Sequence, residues 1–114
     1  MNRKNAEHYK WGGMCDGWHL LNRPELSVIQ ESVPAGAEEA RHFRSKSRQL
    51  FFVLSGTVEI ECAGTWHVLN REDSLEVPPE VPHQLRNPGP AQALFLVVSS
   101  PHSHGDRILV QRPV

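Results

Sequence analysis

The chain has 114 residues and a mass of 12.9 kDa, which suits one domain and leaves little room for two. Hydrophobic residues make up 39% and charged residues 22%, too apolar a mix for a disordered chain. Twelve basic against 13 acidic residues give a net charge of -1, which argues against a broad surface for nucleic acid or an anionic membrane. No apolar run approaches the ~20 residues that span a bilayer, and Met1 to Asn5 lead into no apolar signal segment. Two cysteines, Cys15 and Cys62, make neither a disulfide framework nor a CxxC pair, so a cytoplasmic location is expected.

Taken in chain order, the first 25 residues hold Trp11, Trp18 and Leu20-Leu21, which need burial. They are expected to form an arm with one or two short strands, packed on the rest of the chain or on a partner subunit. Leu26 to Val33 reads as a strand that ends at Pro34-Ala35-Gly36. His42-Phe43-Arg44 and Gln49 to Leu54 flank a polar turn, and Ser55-Gly56 breaks the second of them. Thr57 to Cys62 alternates, with Val58, Ile60 and Cys62 on one face and Thr57, Glu59 and Glu61 on the other. Cys62 is therefore expected to be a buried structural thiol. Thr65 to Leu69, Ser74 to Val77 and His83 to Arg86 are short strands bounded by Gly and Pro turns. Ala93 to Ser99 is apolar on both faces, and Arg107 to Val110 pairs last. Many short strands with no helical period between them predict an all-β sandwich or barrel over residues 26–114.

Seven histidines are many for this length, and their placing carries the chemistry. His42 and Arg44 are two apart, so on a strand they point the same way. Gln49 shares a face with Phe51 and Val53, and His83 opens a later strand. If these strands line one interior, the four side chains converge. His42, Gln49 and His83 can ligate a metal through two imidazoles and an amide oxygen. Arg44 cannot, because its guanidinium keeps its proton and has no lone pair to give. Glu38 and Glu39 precede the strand and are expected to face solvent. His19 could close the barrel mouth. His102 and His104 form a second His-x-His among turn residues, where a loop is the default reading.

The spacing of these residues resembles the two motifs of the cupin superfamily. Gly36, five residues, His42-Phe43-Arg44, four residues, Gln49, six residues and Gly56 match the first. Glu72-Asp73, then Pro78 to His83 and Asn87, match the second. The resemblance implies a cupin-type double-stranded β-helix, a jelly-roll barrel. It also implies a divalent metal held by two histidines and a glutamate of the first motif with the histidine of the second. Arg44 stands at the second histidine of that set and Gln49 at its glutamate, although some cupins resemble this chain at Gln49. Glu72 and Glu80 replace two motif glycines in turns.

These readings lead to a small metal-dependent enzyme, isomerase- or lyase-like, acting on a small anionic or sugar-type metabolite. The metal would be Zn, Ni, Mn or Fe, with Arg44 clamping the substrate's anionic group and His19 as a candidate proton carrier. Non-haem iron oxygenases want a carboxylate in their facial triad, which Gln49 does not supply. The alternative is a metal-free binding module in which Arg44 itself holds an anionic ligand. Segment 50–54 is apolar on both faces, so a homodimer is expected to cover the face turned away from the core.

Overall fold

In the computed structural model, residues 1–12, 14–102 and 105–110 are described. Eleven strands occur among them, with no α-helix. They are β1 (Glu7–Trp11), β2 (Cys15–Asn22), β3 (Ser27–Val33), β4 (His42–Arg44), β5 (Arg48–Ser55) and β6 (Val58–Cys62). After these come β7 (Thr65–Leu69), β8 (Ser74–Val77), β9 (His83–Arg86), β10 (Ala93–Ser100) and β11 (Arg107–Leu109). They build two antiparallel sheets in the orders β1-β2-β3-β10-β5-β8 and β11-β4-β9-β6-β7. This is the all-β jelly-roll barrel expected from the pattern of short strands and turns.

The two sheets bury one face each against the other. Val33, Phe51, Val53, Val77, Phe95 and Val97 come from the six-stranded sheet, and Val58, Ile60, Leu69 and Leu85 from the five-stranded one. The period-two rule is clearest on β10, where Ala93, Phe95, Val97 and Ser99 are buried and the residues between them are less so. β5 does the same with Gln49, Phe51 and Val53 inward and Leu50 outward, 39% exposed. The first 25 residues supply β1 and β2, a hairpin that extends the six-stranded sheet beyond β3.

Two expectations about burial need correction. Cys62 is only half-buried against the core, while Cys15 is the fully buried thiol. Glu61, expected on a polar face, is 3% exposed. It is tolerated there because the Arg41 guanidinium meets both carboxylate oxygens and the Gly64 amide donates a third bond, so its charge is fully paired. Asn87, the last residue of the second motif, is a structural tie: its amide donates to the Val33 and Ala91 carbonyls and accepts from the Gly89 amide. No helix among the described residues is long and apolar enough to cross a membrane.

Candidate functional site

The site begins with the pairing of β4 and β9. Their register sets His42 directly opposite His83, and the two rings lie 4.4 Å apart, centre to centre. Both are buried and point between the sheets. The His42 Nδ1 donates to the Ala40 carbonyl and the His83 Nδ1 to the Val81 carbonyl, each at 3.0 Å. A carbonyl only accepts, so these bonds fix the proton on Nδ1 and leave the lone pair on Nε2 facing the interior. Burial pushes the His42 imidazolium pKa down to about 3, helped by the neighbouring His83. Burial lowers that of His83 as well. Both rings are therefore neutral at physiological pH, the state a metal ligand needs.

Gln49 sits on β5, across the barrel from these strands. Its amide nitrogen donates to the Ser99 hydroxyl at 3.0 Å, which orients the side chain and turns Oε1 inward. That oxygen and His83 Nε2 are both buried and have no hydrogen-bond partner. Two orphaned lone pairs in a sealed interior are costly unless something electropositive meets them.

Glu39 does not face solvent as expected. Its backbone is tied to β9, with its amide donating to the Leu85 carbonyl, its carbonyl accepting from Gln84 and one carboxylate oxygen accepting from the Leu85 amide. These bonds turn the side chain inward. One oxygen of Glu39 and one nitrogen each of His42 and His83 all lie within 4.8 Å of one another. Burial raises the Glu39 carboxyl to about 7. The set thus gains the carboxylate that Gln49 lacks, and the ligand argument against iron no longer holds. The residues present fit a divalent cation: two neutral imidazoles, a carboxylate and an amide oxygen, two of them with buried unmet lone pairs.

Arg44 shares the inward face of β4 with His42 and lies at the barrel mouth. Its Nη1 is 3.5 Å from Asp106, with the two side chains 20% and 9% exposed. Arg44 therefore has an acidic partner within the chain. Asp106 also accepts the Ser47 and Lys46 amides, so it caps the β4–β5 turn and holds the guanidinium there. The charge of Arg44 is still felt by Tyr9, Glu31, Glu39, His42 and His83. Asp106, paired with the guanidinium, offsets part of the repulsion that Arg44 would exert on a cation. His19 lies inward on β2 with its ring 5.0 Å from that of Tyr9, and its Nδ1 is buried without a partner. His102 lies away from the centre, beside a cavity of about 490 Å³ that is also lined by Asn22, Arg23 and Pro24. His104 falls outside the described residues.

Two facing sheets around neutral buried histidines and an inward carboxylate define a small barrel built to hold something polar in an apolar core. The cupin domain model matches residues 29–99, and the chain belongs to this family. The fold is similar to that of KdgF from Halomonas sp., with a TM-score of 0.82 at 18% identity, covering 90% of this chain and 93% of that one. It is also similar to an RmlC-like cupin from Shewanella frigidimarina, with a TM-score of 0.81 at 24% identity and 91% of each chain covered. A Streptomyces PAC13 variant solved with uridine gives a TM-score of 0.81 at 16% identity, over 99% of this chain and 91% of that one. Two curated relatives match at 24% and 26% identity, and the chain spans 69% and 18% of their lengths.

Proposed function

We propose that the chain is a metal-dependent enzyme, isomerase- or lyase-like, that acts on a small anionic or sugar-type metabolite inside the barrel. The observation that carries this reading is the cluster of Glu39, His42 and His83, in which His83 Nε2 is buried without a partner, together with the orphaned, buried Gln49 Oε1 on the facing sheet. His42, His83, Gln49 and Glu39 would hold Zn, Ni, Mn or Fe, which when bound supplies Lewis-acid polarisation of a substrate carbonyl or hydroxyl. Arg44, anchored by Asp106, binds and orients the substrate's anionic group. His19 holds an exchangeable proton position at Nδ1 on the opposite wall. The apolar ring of Phe51, Phe95 and Leu85 keeps bulk water from the core side of the site. The uridine held by the PAC13 variant supports a small polar ligand as the kind of molecule such a barrel takes.

A second reading, a metal-free module in which Arg44 holds an anionic ligand, is supported by the placing of Arg44 on the strand of His42, where its charge is felt by both buried histidines. The two separate on elemental analysis of protein purified without a histidine tag, followed by zinc titration of the chelator-treated protein. The enzyme reading expects bound metal and one zinc site that His83→Ala removes. The absence of any metal before and after zinc addition would leave the module. We further propose a homodimer, supported by the apolar outer face of β5 and β10, and a cytoplasmic location, supported by two cysteines that are both free.

A further inference from the structure

Three polar side chains on the six-stranded sheet face the histidines and are not part of the proposed metal set. The register pairs Tyr9 with Gly17 and Gly17 with Glu31, so these positions form one inward row across β1, β2 and β3. Gly17 has no side chain, and the Tyr9 ring lies in the space it leaves: a Cβ there would stand 2.3 Å from Tyr9 Cζ. The tyrosine thus reaches across β2 towards Glu31, and His19 packs against its ring. Among the described residues, neither the Tyr9 hydroxyl nor the Glu31 carboxyl hydrogen-bonds to the protein, and neither is sealed from open space. His19 Nδ1 is buried with no partner. Burial, with the nearby Glu39 charge, raises the Glu31 carboxyl to about 8, and burial raises the tyrosine well above its ordinary value. Tyr9 and, for the most part, Glu31 therefore keep their protons at physiological pH and offer hydrogen-bond donors and acceptors rather than charge. Both Tyr9 and Glu31 feel Arg44, so the guanidinium borders the row.

A wall of unmet hydrogen-bonding groups bordered by the Arg44 guanidinium, with the Arg107 charge also felt at Glu31, is complementary to a ligand with several hydroxyls and one anionic end. We infer that Tyr9, His19 and Glu31 form a metal-independent subsite that binds the hydroxyls of a polyhydroxylated carboxylate, with the carboxylate at Arg44. This deepens the proposed function and rests on its placing of the anionic end at Arg44. The one clear alternative, a wall that merely fills the barrel, would not discriminate between ligands of equal charge.

Calorimetry tests it with three probes on zinc-loaded protein: D-gluconate, D-sorbitol and hexanoate. Gluconate is expected to bind about tenfold more tightly than hexanoate, and sorbitol more weakly than gluconate. Tyr9→Phe and Glu31→Gln, both close to isosteric, should each weaken gluconate about tenfold and change hexanoate less than about twofold. Zinc uptake by both variants should match the parent. Gluconate binding no tighter than hexanoate, or an equal loss for both probes in the variants, overturns the subsite. Loss of zinc in Glu31→Gln also overturns it, because Glu31 would then belong to the metal centre. If the parent takes up no zinc, the metal reading fails on its own, and the same comparison on the metal-free protein still decides the subsite.

Discussion

On the proposed reading, Arg44 is the side chain on which metal affinity turns. It occupies the inward position two residues after His42, where the motif has a neutral imidazole, and brings a fixed charge held in place by Asp106. Arg44→His exchanges that charge for a ligand, so zinc affinity should rise about tenfold, or ~1.4 kcal/mol, in a calorimetric titration. An unchanged affinity would show that Arg44 does not border the ion. Acid groups set the pH response. Glu31 and Glu39 have folded pKa values of about 8 and about 7 against an ordinary 4.5, so the folded state binds more protons than the unfolded one across that window. Their contribution to stability is complete below about pH 4.5 and is lost as pH rises through 7 to 8. His42 runs the other way, from an ordinary 6.5 down to about 3, and its contribution is lost as pH falls below 6.5. The metal-free protein should therefore melt highest between about pH 4.5 and 6.5. Glu31→Gln should flatten the fall on the alkaline side, as read by melting temperature in chelator across pH 4 to 9. A fall of the same depth in the variant would contradict this. His42, Gln49 and His83 were legible because strand alternation and motif spacing place them. Glu39 was not, since it lies on the irregular segment before β4 and its inward turn depends on bonds to β9. Glu31 left a readable signal: it alternates with Ile29 and Val33 on the inward face of β3.

At the scale of single elements, turns and strand crossings hold the strain. Glu72 and Glu80 replace motif glycines and take positive φ values of 71° and 69°, the left-handed region that disfavours a Cβ. Restoring glycine at either position should raise stability by about 1 kcal/mol, measured by urea unfolding. No gain from Glu80→Gly would mean that its side chain compensates in place. The β1–β2 hairpin depends on Gly17 in the opposite sense. Gly17→Ala should cost roughly 1–3 kcal/mol by displacing the Tyr9 ring, and Tyr9→Ala in the same chain should recover part of that loss. Strictly additive losses would show that the two residues do not touch. The strands from β3 to β10 were readable within a residue or two because Gly and Pro punctuate a period of two. β1 and β2 were not placed individually, because their outward faces carry Trp18, Leu21, His8 and Lys10 and show no clean alternation. Trp18 is covered by the Arg3 guanidinium, 5.4 Å above its ring, a contact no local pattern announces.

Across the whole molecule, the two sheets differ in what they turn outward. The five-stranded sheet is closed by paired charges, with Arg41 on Glu61 and Arg86 on both Glu59 and the Trp66 ring. The six-stranded sheet turns Leu50, Phe52, Leu54, Leu94, Leu96 and Val98 away from the core, most of them only half-covered. This contrast predicts association through the six-stranded sheet. Light scattering should give twice 12.9 kDa, and Leu50→Lys should return the single-chain mass. A single-chain mass for the parent would contradict it. The central claim, however, is that the barrel interior is a cation site. Anomalous diffraction at the zinc edge, from crystals of chelator-treated protein given one equivalent of zinc, tests it most directly. The account predicts one peak about 2.1 Å from both His42 Nε2 and His83 Nε2, with an oxygen of Glu39 or Gln49 in the same shell. A peak confined to surface histidines, or none between the sheets, would contradict it.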